Sequence, residues 1–111
     1  MKLANAERAI VDIAKLREYC LSMAHEEGKH KARVFAAALG LHASDAEELR
    51  LALLRVVAAS DAAVRAKLDA YGQRYTLDFD FSFCNRIARL RSCWIVHPDE
   101  DFPRLTSCYV L

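Results

Sequence analysis

Charge of one sign is what this sequence most lacks. Sixteen Lys and Arg stand against fifteen Asp and Glu, for a formal net charge of +1. That balance excludes the global basic footprint of a non-specific nucleic-acid binder, so any phosphate site has to be local. A long apolar run is missing as well. Residues 1–13 are interrupted by Lys2, Glu7, Arg8 and Asp12 and read as neither signal peptide nor anchor. No other stretch is long enough to span a membrane, and a cytoplasmic protein is expected. The four cysteines, Cys20, Cys84, Cys93 and Cys108, form no C-x-x-C and have no histidine at zinc-ligand spacing. Reduced, mostly buried thiols are the favoured reading, and neither a metal nor a cofactor is expected.

What is present suits one domain spanning 1–111. The chain has 111 residues, with 54% hydrophobic and 28% charged content. That is enough apolar surface to offset the entropy of ordering, and the length suits a single core.

The hydrophobic period divides the chain in two, with helices over about 12–70 and strands over 73–111. Asp12 is the N-cap of a first helix that buries Ile13, Leu16 and Tyr19 or Cys20. Ser22 to Gly28 reads as a loop. The second helix runs from about His30 to Leu39 on a stripe of Ala32, Phe35, Ala36 and Leu39, and stops at Gly40. Ser44 with Glu47 forms a capping box for the third helix, whose buried face is Ala46, Leu49, Leu53 and Val56. A fourth short helix is expected from Asp61.

From Tyr71-Gly72 the period becomes two. Tyr75, Leu77, Phe79 and Phe81 alternate with Arg74, Thr76, Asp78 and Asp80. Ile87 to Val96 is a longer strand with Leu90, Ser92, Trp94 and Val96 on one face. His97 to Pro103 holds both prolines and three acids and reads as a turn. In the last strand, Leu105 to Leu111, Thr106, Cys108 and Val110 oppose Leu105, Ser107 and Tyr109. A short extra strand around Arg8 to Val11 is a further option. Successive strands with short links predict an α+β fold, N-terminal helices packed on one face of an antiparallel meander of three to four strands.

The candidate chemistry centres on Gly28-Lys29-His30-Lys31, a titratable ring between two cations at a helix start. Helix N–H groups without partners suit an anion such as phosphate. An ordinary solvated helix start is the plainer reading. Arg91 and Ser92, and Arg104 with Thr106 and Ser107, place guanidinium and hydroxyl groups on neighbouring strands, where they can hold a phosphodiester. The plainer reading pairs the arginines with Asp78, Asp80, Asp99 and Asp101. Trp94 suits either base stacking or the core, the core being favoured. His25, His42 and His97 lie in or beside loops and are assigned no catalytic part.

Three blocks, 28–41 (GKHKARVFAAALGL), 71–79 (YGQRYTLDF) and 91–96 with 101–111 (RSCWIV, DFPRLTSCYVL), resemble a family of small uncharacterised bacterial domains. The same domain also forms C-terminal tips of phage-type and polymorphic-toxin polypeptides. A looser resemblance is to the barnase, EndoU, colicin and RelE type of metal-independent ribonuclease toxin. Lys29-His30 and Ser92-x-Trp94 are similar to elements of colicin D. The chain departs from the pattern in carrying Phe83 and Cys84 in the hairpin Ser82 to Arg89, and in its low net charge.

The resemblance implies RNA cleavage by attack of a ribose 2′-OH, with RNA, tRNA included, as substrate and a cognate antitoxin or immunity protein as partner. It makes His30 the base or acid, Lys29 and Arg91 the charge stabilisers, and Ser92 and Thr106 the phosphate-orienting hydroxyls. Lys31, Arg74, Trp94 and Arg104 would bind substrate. The alternative is a non-catalytic interaction module, or the partner that neutralises a toxin. Geometry separates the two: the enzyme requires Lys29-His30, Arg91-Ser92 and Thr106 to converge on one open cleft, and a binding module leaves them scattered.

Overall fold

A computed structural model describes all residues, 1–111. The helices are α1 (Ile13–Lys15), continued by a π-helical stretch (Leu16–Cys20), α2 (Lys29–Leu39) and α3 (Ala46–Ala59). They precede four strands, β1 (Val64–Asp69), β2 (Gly72–Phe83), β3 (Arg86–Val96) and β4 (Arg104–Val110). The strands form one sheet in the order β1-β2-β3-β4, every neighbour antiparallel. The fold is the expected α+β arrangement.

Local chemistry accounts for most boundaries. The Asp12 carboxylate accepts from the Ala14 N–H and caps α1, as the sequence predicts. Gly40 ends α2 with φ 67°, a left-handed conformation that costs glycine little. The β2–β3 hairpin turns on Cys84 and Asn85, both at positive φ (50° and 60°), as a two-residue turn between twisted strands requires.

Three expectations fail. The segment after Asp61 is not a helix but β1, because the free edge of β2 offers hydrogen bonds that an alanine-rich segment without an apolar stripe cannot match alone. The Ser44–Glu47 capping box does not form. Ser44 lies in a 3₁₀ turn (Ala43–Asp45), and Asp45 Oδ2 accepts from the His42 N–H instead. The extra strand near Arg8 reduces to a single bridge between Ile10 and Arg104.

The core lies between the helices and one sheet face. Register sets Tyr75, Leu77, Phe79 and Phe81 of β2 opposite Trp94, Ser92, Leu90 and Ala88 of β3. This face packs against Leu16, Cys20, Phe35, Leu39, Leu49 and Leu53 in one cluster. The opposite face carries Thr76, Asp78, Arg91 and Cys93, all half-buried.

A bulge in β4 interrupts the alternation expected of that strand. Trp94 pairs with Leu105 and Cys93 with Ser107, so Thr106 is an extra residue between them. Leu105 and Cys108 therefore both face the core, and Ser107 and Tyr109 face away from it. A bulge bends its strand and re-aims the side chain it carries, and bulges are frequent beside active sites.

Candidate functional site

The Lys29-His30-Lys31 triplet splits three ways. His30 is exposed at the surface and lines none of the larger cavities. Lys29 pairs with Glu26 at 3.5 Å. Only Lys31 reaches the sheet, where its Nζ lies 3.2 Å from Ser107 Oγ and 3.4 Å from the Tyr19 hydroxyl. It sits between two aromatic rings, 5.2 Å from the Tyr19 centroid and 5.1 Å from that of Tyr109. Such placement holds a cation without neutralising it.

The head of α2 is not an open anion seat. His25 Nδ1 accepts from the N–H groups of Glu27 (3.1 Å) and Gly28 (3.0 Å), and His25 O accepts from Lys29 N–H. Gly28 is there for clearance, since a Cβ at this position would stand 2.2 Å from Tyr19 O.

Ser92 has a structural task. It is fully buried on the helix-covered face, where its Oγ donates to Leu77 O at 2.7 Å and accepts from Trp94 Nε1 at 2.8 Å. Trp94 is 1% exposed, so it offers no stacking surface. The Ser-x-Trp element is thus a satisfied core pair, and neither residue is placed to orient or stack on a substrate.

Two arginines are already neutralised. Arg91 makes two bonds of 2.8 Å to the Asp78 carboxylate across the β2–β3 register. The pair holds Asp78 below its ordinary range and Arg91 above its own, chiefly through those hydrogen bonds. Arg104 grips Glu100 at 2.7 and 2.6 Å, lowering the carboxyl and raising the guanidinium. Cross-strand pairing was foreseeable for Arg91, but Arg104 selects Glu100 rather than Asp99 or Asp101. Lys29, His30, Arg91, Ser92 and Thr106 thus do not converge on one cleft.

A different set does converge, around Thr106. Three cavities, of about 580, 310 and 310 Å³, all have Thr106 in their walls. The first adds Lys15, Tyr19 and His25, and the second adds Arg74, His97 and Arg104. The third takes Lys31, Lys67, Arg74, Thr76, Cys93, Ser107 and Tyr109, with Tyr75 and Trp94 also in its wall. Thr106 Oγ1 donates to Cys93 O at 3.1 Å, leaving its lone pairs free.

The third cavity is electropositive. Its lining contains Lys31, Lys67 and Arg74 and no carboxylate. Asp69, outside the lining, serves both Arg74 (3.2 Å) and Lys67 (4.0 Å), and Lys31 has no acidic partner. Desolvation pushes the Cys93 thiol up despite the nearby charges of Lys31 and Arg91 and a hydrogen bond with Tyr109. Burial likewise raises Cys20 and Cys108, so these thiols stay protonated near neutrality. All four cysteines are free.

Helical phase was the available signal for Lys31. It stands four residues before buried Phe35, whereas His30 and Lys29 stand four before exposed Val34 and Arg33. No sequence signal marks Lys67, His25 or His97, because a bulge and tertiary packing bring them to Thr106.

No helix is long and apolar enough to cross a membrane. No curated protein matches the chain. The model of the family described as "Domain of unknown function (DUF6883)" matches residues 2–111, and the chain belongs to that family.

Proposed function

We propose that this domain is a metal-independent endoribonuclease of the toxin type, with the scissile phosphate bound beside Thr106, the residue the three cavities share. The observation that carries this reading is the Lys31 ammonium, fixed between Tyr19, Ser107 and Tyr109 over a cavity lined by cations and hydroxyls but no acid. A polyanion gains from such a site, and a cation held in place stabilises added phosphoryl charge at no reorganisation cost.

The reaction moves one proton at each end. The ribose 2′-OH loses its proton and attacks phosphorus, and the bond from phosphorus to the 5′-oxygen breaks. Lys31 and Arg74 stabilise the extra negative charge, and the Lys31 ammonium protonates the departing oxygen. The products are a 2′,3′-cyclic phosphate and a 5′-hydroxyl. On this reading RNA, tRNA included, is cleaved in the bacterial cytoplasm, and a cognate antitoxin covers the cleft.

Two observations favour a non-catalytic interaction module instead. Lys29-His30, Arg91-Ser92 and Thr106 do not converge on one cleft, the scatter expected of such a module. Arg91 and Arg104 are both occupied by carboxylates, which suits a surface for protein contact.

Expression in a bacterial host tests the choice. Wild type should arrest growth and fragment RNA, and Lys31→Met, an unbranched side chain of similar length without the charge, should do neither. Intact RNA and normal growth with folded wild-type protein would select the interaction module.

A further inference from the structure

Two histidines, each in the wall of a cavity that Thr106 also lines, are held in opposite tautomers by backbone hydrogen bonds. His97 Nδ1 lies 2.9 Å from Tyr71 O, an atom that can only accept. In the neutral ring Nδ1 therefore carries the proton and Nε2 keeps a free lone pair. His25 is the reverse. Its Nδ1 accepts from two backbone N–H groups, so its proton sits on Nε2. The Tyr19 ring holds it edge-on at 4.7 Å between centroids. His25 and His97 line two of the cavities that share Thr106 and Lys15.

We infer that His97 Nε2 is the general base of the reaction and that His25 Nε2–H is a fixed donor to a non-bridging phosphoryl oxygen. The assignment rests on the ribonuclease reading and supplies the base that Lys31, a cation, cannot be. His97 takes the 2′-OH proton and becomes imidazolium while the 2′-oxygen attacks phosphorus. Lys31 gives its proton to the 5′-oxygen. Water then returns the His97 proton to solvent and reprotonates Lys31, so charge and atoms balance. A donor already fixed on its own backbone stabilises charge without becoming an acid. The charged groups around His97 are Asp12, Lys15, Arg74 and Arg104 in the cavity wall and Glu100 in the following turn. Around His25 they are Lys15, Glu18 and Glu27.

A substrate with sulfur in place of the bridging 5′-oxygen separates the roles, because a thiolate leaves without protonation. His97→Asn is the informative variant, since its amide N–H can still donate to Tyr71 O while Nε2 is gone. Against wild type on ordinary RNA, it should lose about 10²–10⁴-fold in single-turnover rate. It should stay slow on the 5′-thio substrate, where Lys31→Met recovers. His25→Asn, whose Oδ1 can still accept from the Glu27 and Gly28 N–H groups while Nε2 is gone, should be slow on both. Recovery of His97→Asn on the 5′-thio substrate, or an undiminished rate on ordinary RNA, overturns the assignment. Cleavage that needs Lys31 but not His97 leaves the ribonuclease reading standing without this base. A wild type that cleaves neither substrate removes both.

Discussion

Lys31 Nζ and Ser107 Oγ, 76 residues apart in sequence, lie 3.2 Å from one another. The contact ties α2 to β4 and puts an ammonium group in the same cavity wall as Thr106. Of the charged triplet at the start of α2, Lys31 is aimed at the sheet, Lys29 pairs with Glu26 and His30 is exposed. This moves the candidate chemistry from His30 to Lys31 and gives Gly28 a steric rather than an anion-binding role.

Ser92→Ala should weaken the fold without touching the proposed chemistry. The hydroxyl bridges Leu77 O and the Trp94 indole N–H in the core. Removing it leaves a buried donor unpaired, a loss of about 1–3 kcal/mol. Urea denaturation should show a lower midpoint with an unchanged slope. Equal stability with lost RNA cleavage would return Ser92 to the site.

Gly28→Ala should destabilise although the backbone φ of −82° is ordinary for any residue. The new Cβ would collide with the Tyr19 carbonyl, an atom of the main chain that cannot rotate away. Forced displacement of this kind costs about 1–3 kcal/mol. Because Tyr19 flanks Lys31, activity should fall with stability. Thermal melts beside cleavage assays check both.

The Asp78–Arg91 pair should shape the acid limb of stability. The carboxyl titrates below its ordinary 3.8 in the folded state, so the contribution is present above that value and lost as pH falls through the depressed one. Urea midpoints measured from about pH 6 down to about pH 2 should decline less steeply for Asp78→Asn than for wild type. Partial exposure of both side chains keeps the effect small and sensitive to salt. Parallel curves for the two proteins would show that the pair contributes nothing.

The fold was legible where local chemistry and period agree: Asp12 as cap, Phe35 and Leu39 on one stripe, Gly40 as stop, and the dry face of β2. It was not legible where a distant partner decides. Val64–Asp69 is a strand because β2 offers it an edge, and the segment's own alanines suggest a helix. The phase of β4 fails at Thr106 because the extra residue shows only in the register against β3.

The site was legible in parts. Thr106, Lys31 and Arg74 meet around shared cavities as candidates for phosphate contact. Ser92 and Trp94 look like chemistry in the sequence because a hydroxyl and an indole two residues apart share a strand face. Burial turns that proximity into an internal hydrogen bond. The convergence that the enzyme reading required of His30 is absent, and the convergence at Thr106 takes its place.

Cleavage of an end-labelled RNA by purified protein, with a chelator present throughout, is the most direct measurement. The account predicts fragments ending in 2′,3′-cyclic phosphate from wild type and from His30→Ala, and none from Lys31→Met. Fragments from Lys31→Met at the wild-type rate, or their loss in His30→Ala, would contradict it.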